Sequence, residues 1–194
     1  MYYTAKELVT RVKQLDSYKN IPEGYWLCAI RKAPEEQKPN EFNDIVYLMK
    51  GIEIVMDAAC TTVPGLPALK GGFKKYNKNG AAVIKADIFY YDVYGYGLHS
   101  GKMPALRQKG KMFYHRDGDL DSMAEEIGPT YNQNAYTNFH AATYKAGNAV
   151  IQKWIGHWSY GCIVAPNRIE YDKIISTVKN QHRVSMVILN EFGV

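Results

Sequence analysis

The chain has 194 residues, 46% hydrophobic and 22% charged, which allows a real core within one domain and excludes a disordered chain. A net charge of +5 and a pI near 8.9 would favour an anionic polymer such as cell wall, nucleic acid or a membrane surface. Lys and Arg are scattered, with only short pairs such as Lys74-Lys75, so no nucleic-acid partner is expected, and no apolar run reaches the roughly 18 residues of a membrane span, so neither is membrane insertion.

The first residues, Met1 to Glu7, carry no apolar core and no small-residue cleavage site. No signal peptide is therefore expected, and synthesis in a cytoplasm follows. The three cysteines, Cys28, Cys60 and Cys162, are odd in number and lack metal-ligand spacing, which fits a reducing interior better than a disulfide framework.

In chain order, Thr4 and Glu7 form a capping box, and Leu8, Val12 and Leu15 continue one apolar face, which predicts a helix over about 4–16 with a packing role. Strands are expected at Tyr25 to Arg31 and Phe42 to Met49, around a polar loop from Pro34 to Asn40, and again at Ile52 to Met56. Asp44 and Asp57 are read as solvated strand-edge carboxylates without a role. Ala59 to Gly72, rich in glycine and proline, is expected to be irregular. Within it Thr61 and Thr62 either line a cleft or belong to a surface turn, and the surface turn is preferred.

After a turn at Asn77 to Gly80, Ala82 to Tyr91 reads as one strand leading into the tyrosine-rich Asp92 to Gly97. The 16 tyrosines could stack on sugar or peptide, but strands favour tyrosine in any case, and the structural explanation is preferred. His99, in Gly97-Leu98-His99-Ser100-Gly101, is expected to be exposed, either as a substrate contact or as a loop histidine without a role. Lys111 to Arg116 reads as a strand. Asp117-Gly118-Asp119-Leu120-Asp121 alternates carboxylates as a calcium loop does, but Ser122 stands where glycine is needed and Gly128 where the bidentate glutamate belongs. A solvated acidic turn is the expectation, and no metal site is assigned.

Pro129 to Asn134 is polar, and Ala135 to His140 is expected to be a strand that delivers His140. A loop containing Trp154 and His157 leads to Trp158-Ser159-Tyr160-Gly161-Cys162-Ile163-Val164. A helix from Asn167 to about Gln181 follows, its Tyr171, Ile174, Ile175 and Val178 on one face, and Val184 to Leu189 closes the chain as a strand. No repeats or linkers mark a second domain.

A cysteine directly after a glycine at a strand edge has the local form of a nucleophile on a tight turn, although a lone cysteine also serves as a small buried hydrophobe. A thiol of ordinary pKa near 8.5 is mostly protonated at neutral pH, so it needs an imidazole in reach and electropositive surroundings. His140, about twenty residues upstream, is the preferred base, with His157 as its rival. Gly161 lets the backbone approach a carbonyl, and the N–H groups around Gly161 and Cys162 would serve as an oxyanion hole.

Ser159-Tyr160-Gly161-Cys162, preceded by Phe139-His140, resembles the active-site signature of the L,D-transpeptidase catalytic domain. Ile21-Pro22-Glu23-Gly24-Tyr25-Trp26, Thr61-Thr62-Val63-Pro64-Gly65, Gly97 to Gly101 with Ala105-Leu106-Arg107-Gln108, and Arg116-Asp117 resemble a divergent, phage-associated branch of it. The resemblance implies a single α+β domain over 1–194, mainly β, with a sandwich-like core and a helix near each end. It implies acyl transfer on stem-peptide bonds of bacterial peptidoglycan through a thioacyl-enzyme, without cofactor or metal; water or an amine could resolve that intermediate, and the missing signal peptide with a phage setting favours hydrolysis over cross-linking. Cys162, His140 and Gly161 would be catalytic, and Ser159, Tyr160, His99 and Trp158 would bind substrate. Trp154 and Trp158 would wall the site from water, and a backbone carbonyl would orient the imidazole, since no carboxylate stands out.

A phage setting would take a protein made in the cytoplasm to the wall, by release or as a virion component. Two departures bear on substrate choice. Tyr160 stands where the family has histidine, and Val164 stands where it commonly has an arginine that holds a substrate carboxylate. The loss of that histidine keeps open a second reading, a non-catalytic virion component that binds wall or a neighbouring virion protein.

Overall fold

The computed structural model describes residues 2–33, 36, 38 and 40–193, so most of the polar loop expected at 34–40 lies outside the described residues. Its elements are α1 (Ala5–Lys13), β1 (Tyr25–Arg31), β2 (Asp44–Lys50), β3 (Glu53–Cys60), β4 (Ala81–Ile84), β5 (Ile88–His99), β6 (Met103–Gln108), β7 (Met112–Asp117), β8 (Tyr131–Gln133), β9 (Phe139–Ala141), β10 (Ile163–Ala165), α2 (Arg168–Val178) and β11 (Val184–Asn190). The chain is mainly β. Eight strands form a mixed sheet in the order β10-β9-β6-β5-β11-β1-β2-β3, and β4-β7-β8 form a second, three-stranded sheet.

The central strands read as continuous apolar runs because the large sheet is buried on both faces. Trp26, Cys28 and Ile30 of β1 pack with Tyr47, Phe89 and Val187 beneath Leu8, Val9 and Val12 of α1. Leu27 and Ala29 point the other way, into a core shared with Tyr94, Leu106, Phe139 and Ile163, with Tyr171, Ile174, Ile175 and Val178 of α2, and with Ile84 and Met112 of the small sheet. The large sheet curls until its edges meet: Thr61, just past β3, exchanges backbone hydrogen bonds with Val164 of β10 at 2.9 and 3.1 Å. That contact ties the segment after β3 to the strand following Cys162.

The helix caps follow their sequence signals. Thr4 Oγ1 accepts from the Glu7 N–H while Glu7 Oε2 accepts from the Thr4 N–H, the reciprocal capping box, and Asn167 Oδ1 accepts from the N–H groups of Ile169 and Glu170. Both helices are shorter than predicted. The first ends at Lys13, with Leu15 still buried after it, and the second at Val178.

Several expectations are corrected by packing. The strand predicted over Ala82 to Tyr91 is two strands in different sheets, broken at Asp87, which has a left-handed φ of 56° and an ion pair with Arg11 at 3.0 Å. Beyond it β5 continues through the tyrosine-rich stretch to His99, and a turn with positive φ at Ser100 and Gly101 hands the chain to β6, so His99 ends a strand. Residues 59–72 are not wholly irregular: β3 runs to Cys60, and Ala68–Gly72 forms a short helical turn.

Thr61 and Thr62 are buried, which overturns the surface turn. Asp44 is also buried, its Oδ2 accepting from the Thr62 N–H and hydroxyl and its Oδ1 from the Lys32 N–H. Burial raises its pKa against these bonds and the nearby Arg31. Arg31 completes the cluster, donating to Thr62 Oγ1 and to Glu126.

Candidate active site

Parallel pairing of β9 with β10 places Phe139 beside Ile163 and His140 beside Val164, which brings the histidine and the turn before Ile163 to one end of the sheet edge. The predicted strand Ala135 to His140 is only Phe139–Ala141. Three residues suffice, because the Ile163 N–H also donates to the Asn138 carbonyl at 2.9 Å.

The turn carrying Cys162 is held by its neighbours. Gly161 has φ +124° and is buried, and a Cβ there would lie 2.5 Å from the Ala82 carbonyl oxygen, so no other residue fits. Ser159 is fully buried. Its Oγ accepts from the Gly161 N–H at 3.2 Å and faces the Cys162 and Val63 carbonyls at 2.7 and 3.0 Å, while its own carbonyl accepts from the Gly65 N–H. This corrects its assignment as a substrate contact, because the hydroxyl is enclosed and engaged within the turn. The Gly161 N–H is likewise occupied. Of the two N–H groups expected to bind an oxyanion, that of Cys162 remains, with no acceptor among the described residues.

His140 is fully buried, and its Nδ1 lies 2.9 Å from the Ala141 carbonyl oxygen. A carbonyl only accepts, so the proton is on Nδ1 and Nε2 carries the lone pair. That Nε2 has no partner among the described residues. The orienting group is thus the expected backbone carbonyl. His99 is half-buried rather than exposed, and its ring stacks on His140 with centroids 3.9 Å apart. One nitrogen of each imidazole and Cys162 Sγ all lie within 4.8 Å of one another, a spacing that would also let the three share a metal ion.

Asn138 wires this group together. Its Oδ1 accepts from the Gln108 N–H at 3.0 Å, which fixes Nδ2 as the atom 3.2 Å from His99 Nδ1. The amide therefore donates to Nδ1, and the proton of neutral His99 is on Nε2.

The electrostatics differ from the activated pair expected. Burial pushes the Cys162 thiol up to about 11, offset in part by the Asn138 N–H, and the thiol faces the Tyr136 carbonyl at 3.7 Å. Burial, with the adjacent His99, pushes His140 down to about 3. Burial and the charge of Arg107 also lower His99. At neutral pH the group is a neutral thiol beside two neutral imidazoles, because desolvation disfavours the charged form of each.

The remaining predicted residues lie around this centre. Tyr160 is half-buried against Phe73 and Tyr76, and its hydroxyl meets His157 Nδ1 at 2.8 Å. His157 is thus paired with Tyr160, while His140 is the histidine grouped with Cys162. Trp158 is half-buried on Tyr144, but Trp154 is 49% exposed, so it does not wall the site.

Tyr94 was not anticipated. Its hydroxyl is buried beside Cys162 without a partner among the described residues, and the Thr137 hydroxyl near it donates to Gln108 Oε1. No local signal singles it out among the tyrosines. Asn138 carried one, its place two residues before the base.

Among the described residues no helix is long and apolar enough to cross a membrane. No protein-family model, no curated protein and no solved structure matches the chain.

Proposed function

We propose that the protein is a cysteine-dependent acyl-transfer enzyme of L,D-transpeptidase type that acts on stem-peptide bonds of bacterial peptidoglycan. The observation that carries this reading is the grouping of His140 with Cys162, a ring nitrogen within 4.8 Å of Sγ, in an imidazole whose Nδ1 is held by the Ala141 carbonyl and whose buried Nε2 has no partner among the described residues. The two unequal sheets and the helix packed on each face suit the sandwich-like core of that family, and the resemblance of 159–162 and 139–140 supplies the substrate class.

The neutral resting pair implies that the proton moves as the carbon–sulfur bond forms. His140 Nε2 takes the thiol proton as Sγ attacks the peptide carbonyl, and the Cys162 N–H and His99 Nε2–H donate toward the oxyanion. Collapse breaks the C–N bond, and the imidazolium gives its proton to the leaving amine. Water, deprotonated by His140, then attacks the thioester. The new acid leaves, and the proton returns to sulfur. Val164, buried and bonded to Thr61, supplies no cation at the position that would hold an acceptor's carboxylate, which favours water over an amine.

The raised thiol and the occupied Gly161 N–H favour a second reading, a non-catalytic virion or wall-binding protein. Incubating purified sacculi with the protein and with Cys162→Ala, then resolving the released muropeptides by chromatography and mass, separates the two. New products from the intact protein alone are expected, and their masses name the bond. Identical profiles across several wall chemotypes would overturn the enzymatic reading.

A further inference from the structure

We infer that Asn138 is a positioning residue, whose side-chain amide sets the proton on His99 so that His99 serves only as a hydrogen-bond donor and His140 only as the base. Its use in catalysis rests on the acyl transfer proposed above, whereas the place of the proton does not.

Two imidazoles beside one thiol pose a problem of direction. A ring nitrogen of His99 and one of His140 lie within 4.8 Å of Cys162 Sγ and of each other, and a free lone pair on either could take the thiol proton. The rings are held in opposite tautomers. The Ala141 carbonyl accepts from His140 Nδ1 at 2.9 Å, which leaves the lone pair on Nε2. The Asn138 amide donates to His99 Nδ1 at 3.2 Å, which leaves the N–H on Nε2. His99 therefore has no free lone pair, and of the two rings only His140, at its buried and unpartnered Nε2, is left to accept.

The direction of the Asn138 amide is itself fixed. Its Oδ1 accepts from the Gln108 N–H at 3.0 Å, and a reversed amide would set Nδ2 against that N–H, donor against donor. Gln108 is only 4% exposed and is held in turn. Its Oε1 accepts from the Ala135 N–H at 3.2 Å and from the Thr137 N–H and hydroxyl at 3.0 Å, while its Nε2 donates to the Gly110 carbonyl at 3.0 Å. The Asn138 backbone carbonyl accepts from the Ile163 N–H at 2.9 Å. One residue thus joins β6, the last residue of β5 and the strand that follows the nucleophile.

The consequence is a division of labour during attack. As Cys162 Sγ bonds to the carbonyl carbon, its proton passes to His140 Nε2 and the carbonyl oxygen gains the charge. His99 Nε2–H donates toward that oxygen and keeps its proton, because a neutral imidazole N–H is too weak an acid to give it up. The other tautomer would turn a lone pair to the oxyanion and offer the thiol proton a second destination. With the rings stacked at 3.9 Å, a charge on His99 would also oppose the charge that His140 must gain.

The test is to read the tautomers from two-bond proton–nitrogen NMR correlations of the full chain labelled with nitrogen-15 histidine, using His99→Gln and His140→Gln to assign the rings. At neutral pH His99 should carry its proton on Nε2 and His140 on Nδ1. In Asn138→Asp, which keeps the acceptor for Gln108 but can no longer donate, His99 should carry a proton on Nδ1. Release of muropeptides from sacculi should fall about tenfold or more in Asn138→Asp and in His99→Leu, and His99→Gln, which restores an N–H donor but no base, should recover part of the loss. A proton on Nδ1 of His99 in the parent, or a tautomer unmoved by Asn138→Asp, would overturn the assignment whatever the activity. A full rate in His99→Leu, or a His99→Gln no better than His99→Leu, would overturn the donor role. A parent that shows the expected tautomers and releases no muropeptides would overturn the acyl transfer and the donor role with it, but not the place of the proton.

Discussion

The imidazoles of His99 and His140 stack with centroids 3.9 Å apart and planes 23° from parallel. Two rings so close do not both carry a positive charge, and burial disfavours the charge on each. The neighbouring Cys162 consequently has no imidazolium to stabilise a thiolate, and this governs its reactivity in the free protein.

Alkylation of Cys162 by a small thiol reagent should be slow at neutral pH and rise with a midpoint well above the ordinary value of about 8.5. Cys28 and Cys60, fully buried and with pKa raised by burial, should stay unlabelled until the protein unfolds. Mass mapping of labelled peptides against pH reads this directly. A Cys162 midpoint below that value would mean that the resting pair is ionic.

Gly161→Ala should destabilise the protein by at least about 2 kcal/mol, from a strained φ of +124° and a Cβ forced against the Ala82 carbonyl. Urea denaturation measures the loss. A variant as stable as the parent would show that the turn relaxes freely.

Ser159→Ala should cost about 1–3 kcal/mol, because it leaves the buried Gly161 N–H without its acceptor. A stable variant with altered substrate affinity alone would restore the substrate-contact assignment that burial argues against.

His140 links stability to pH. Its folded pKa, about 3, lies below the 6.5 of the free side chain, so between these values the unfolded chain binds a proton that the native state refuses. Stability contributed by the neutral ring is complete above about 6.5 and falls as pH drops toward 3, by up to about 1.4 kcal/mol per pH unit. Asp117, raised to about 6, acts in the opposite sense over part of this window. Denaturation curves should therefore be compared with those of His140→Gln, in which Asp117 is unchanged and the His140 slope is gone. Equal slopes in the two proteins would show that His140 is already protonated in the folded state.

Local signals carried much of the fold. The capping box at Thr4, the face of Tyr171, Ile174, Ile175 and Val178, and the apolar runs of β1, β2 and β11 were legible because cap chemistry and periodicity act within a few residues. The break at Asp87 was not, since Ala82 to Tyr91 has strand propensity throughout and only the competing demands of two sheets divide it. At the site, Gly161 before Cys162 pointed to a tight turn, and Phe139-His140 to a base.

The sequence by itself determined a mainly β chain with a capped helix near each end, and proposed a cysteine with a histidine. Only the tertiary structure decided which groups are paired and what charge they bear. The parallel β9–β10 register puts His140 at the Cys162 turn, the end of β5 lays His99 on His140, and burial of Ser159, Asp44 and Asp117 turned presumed contacts and solvated carboxylates into enclosed groups. The physical reason is one of range. Propensity and capping are set by neighbours in sequence, whereas desolvation, and with it every shifted pKa here, is set by residues that meet only when distant strands pair.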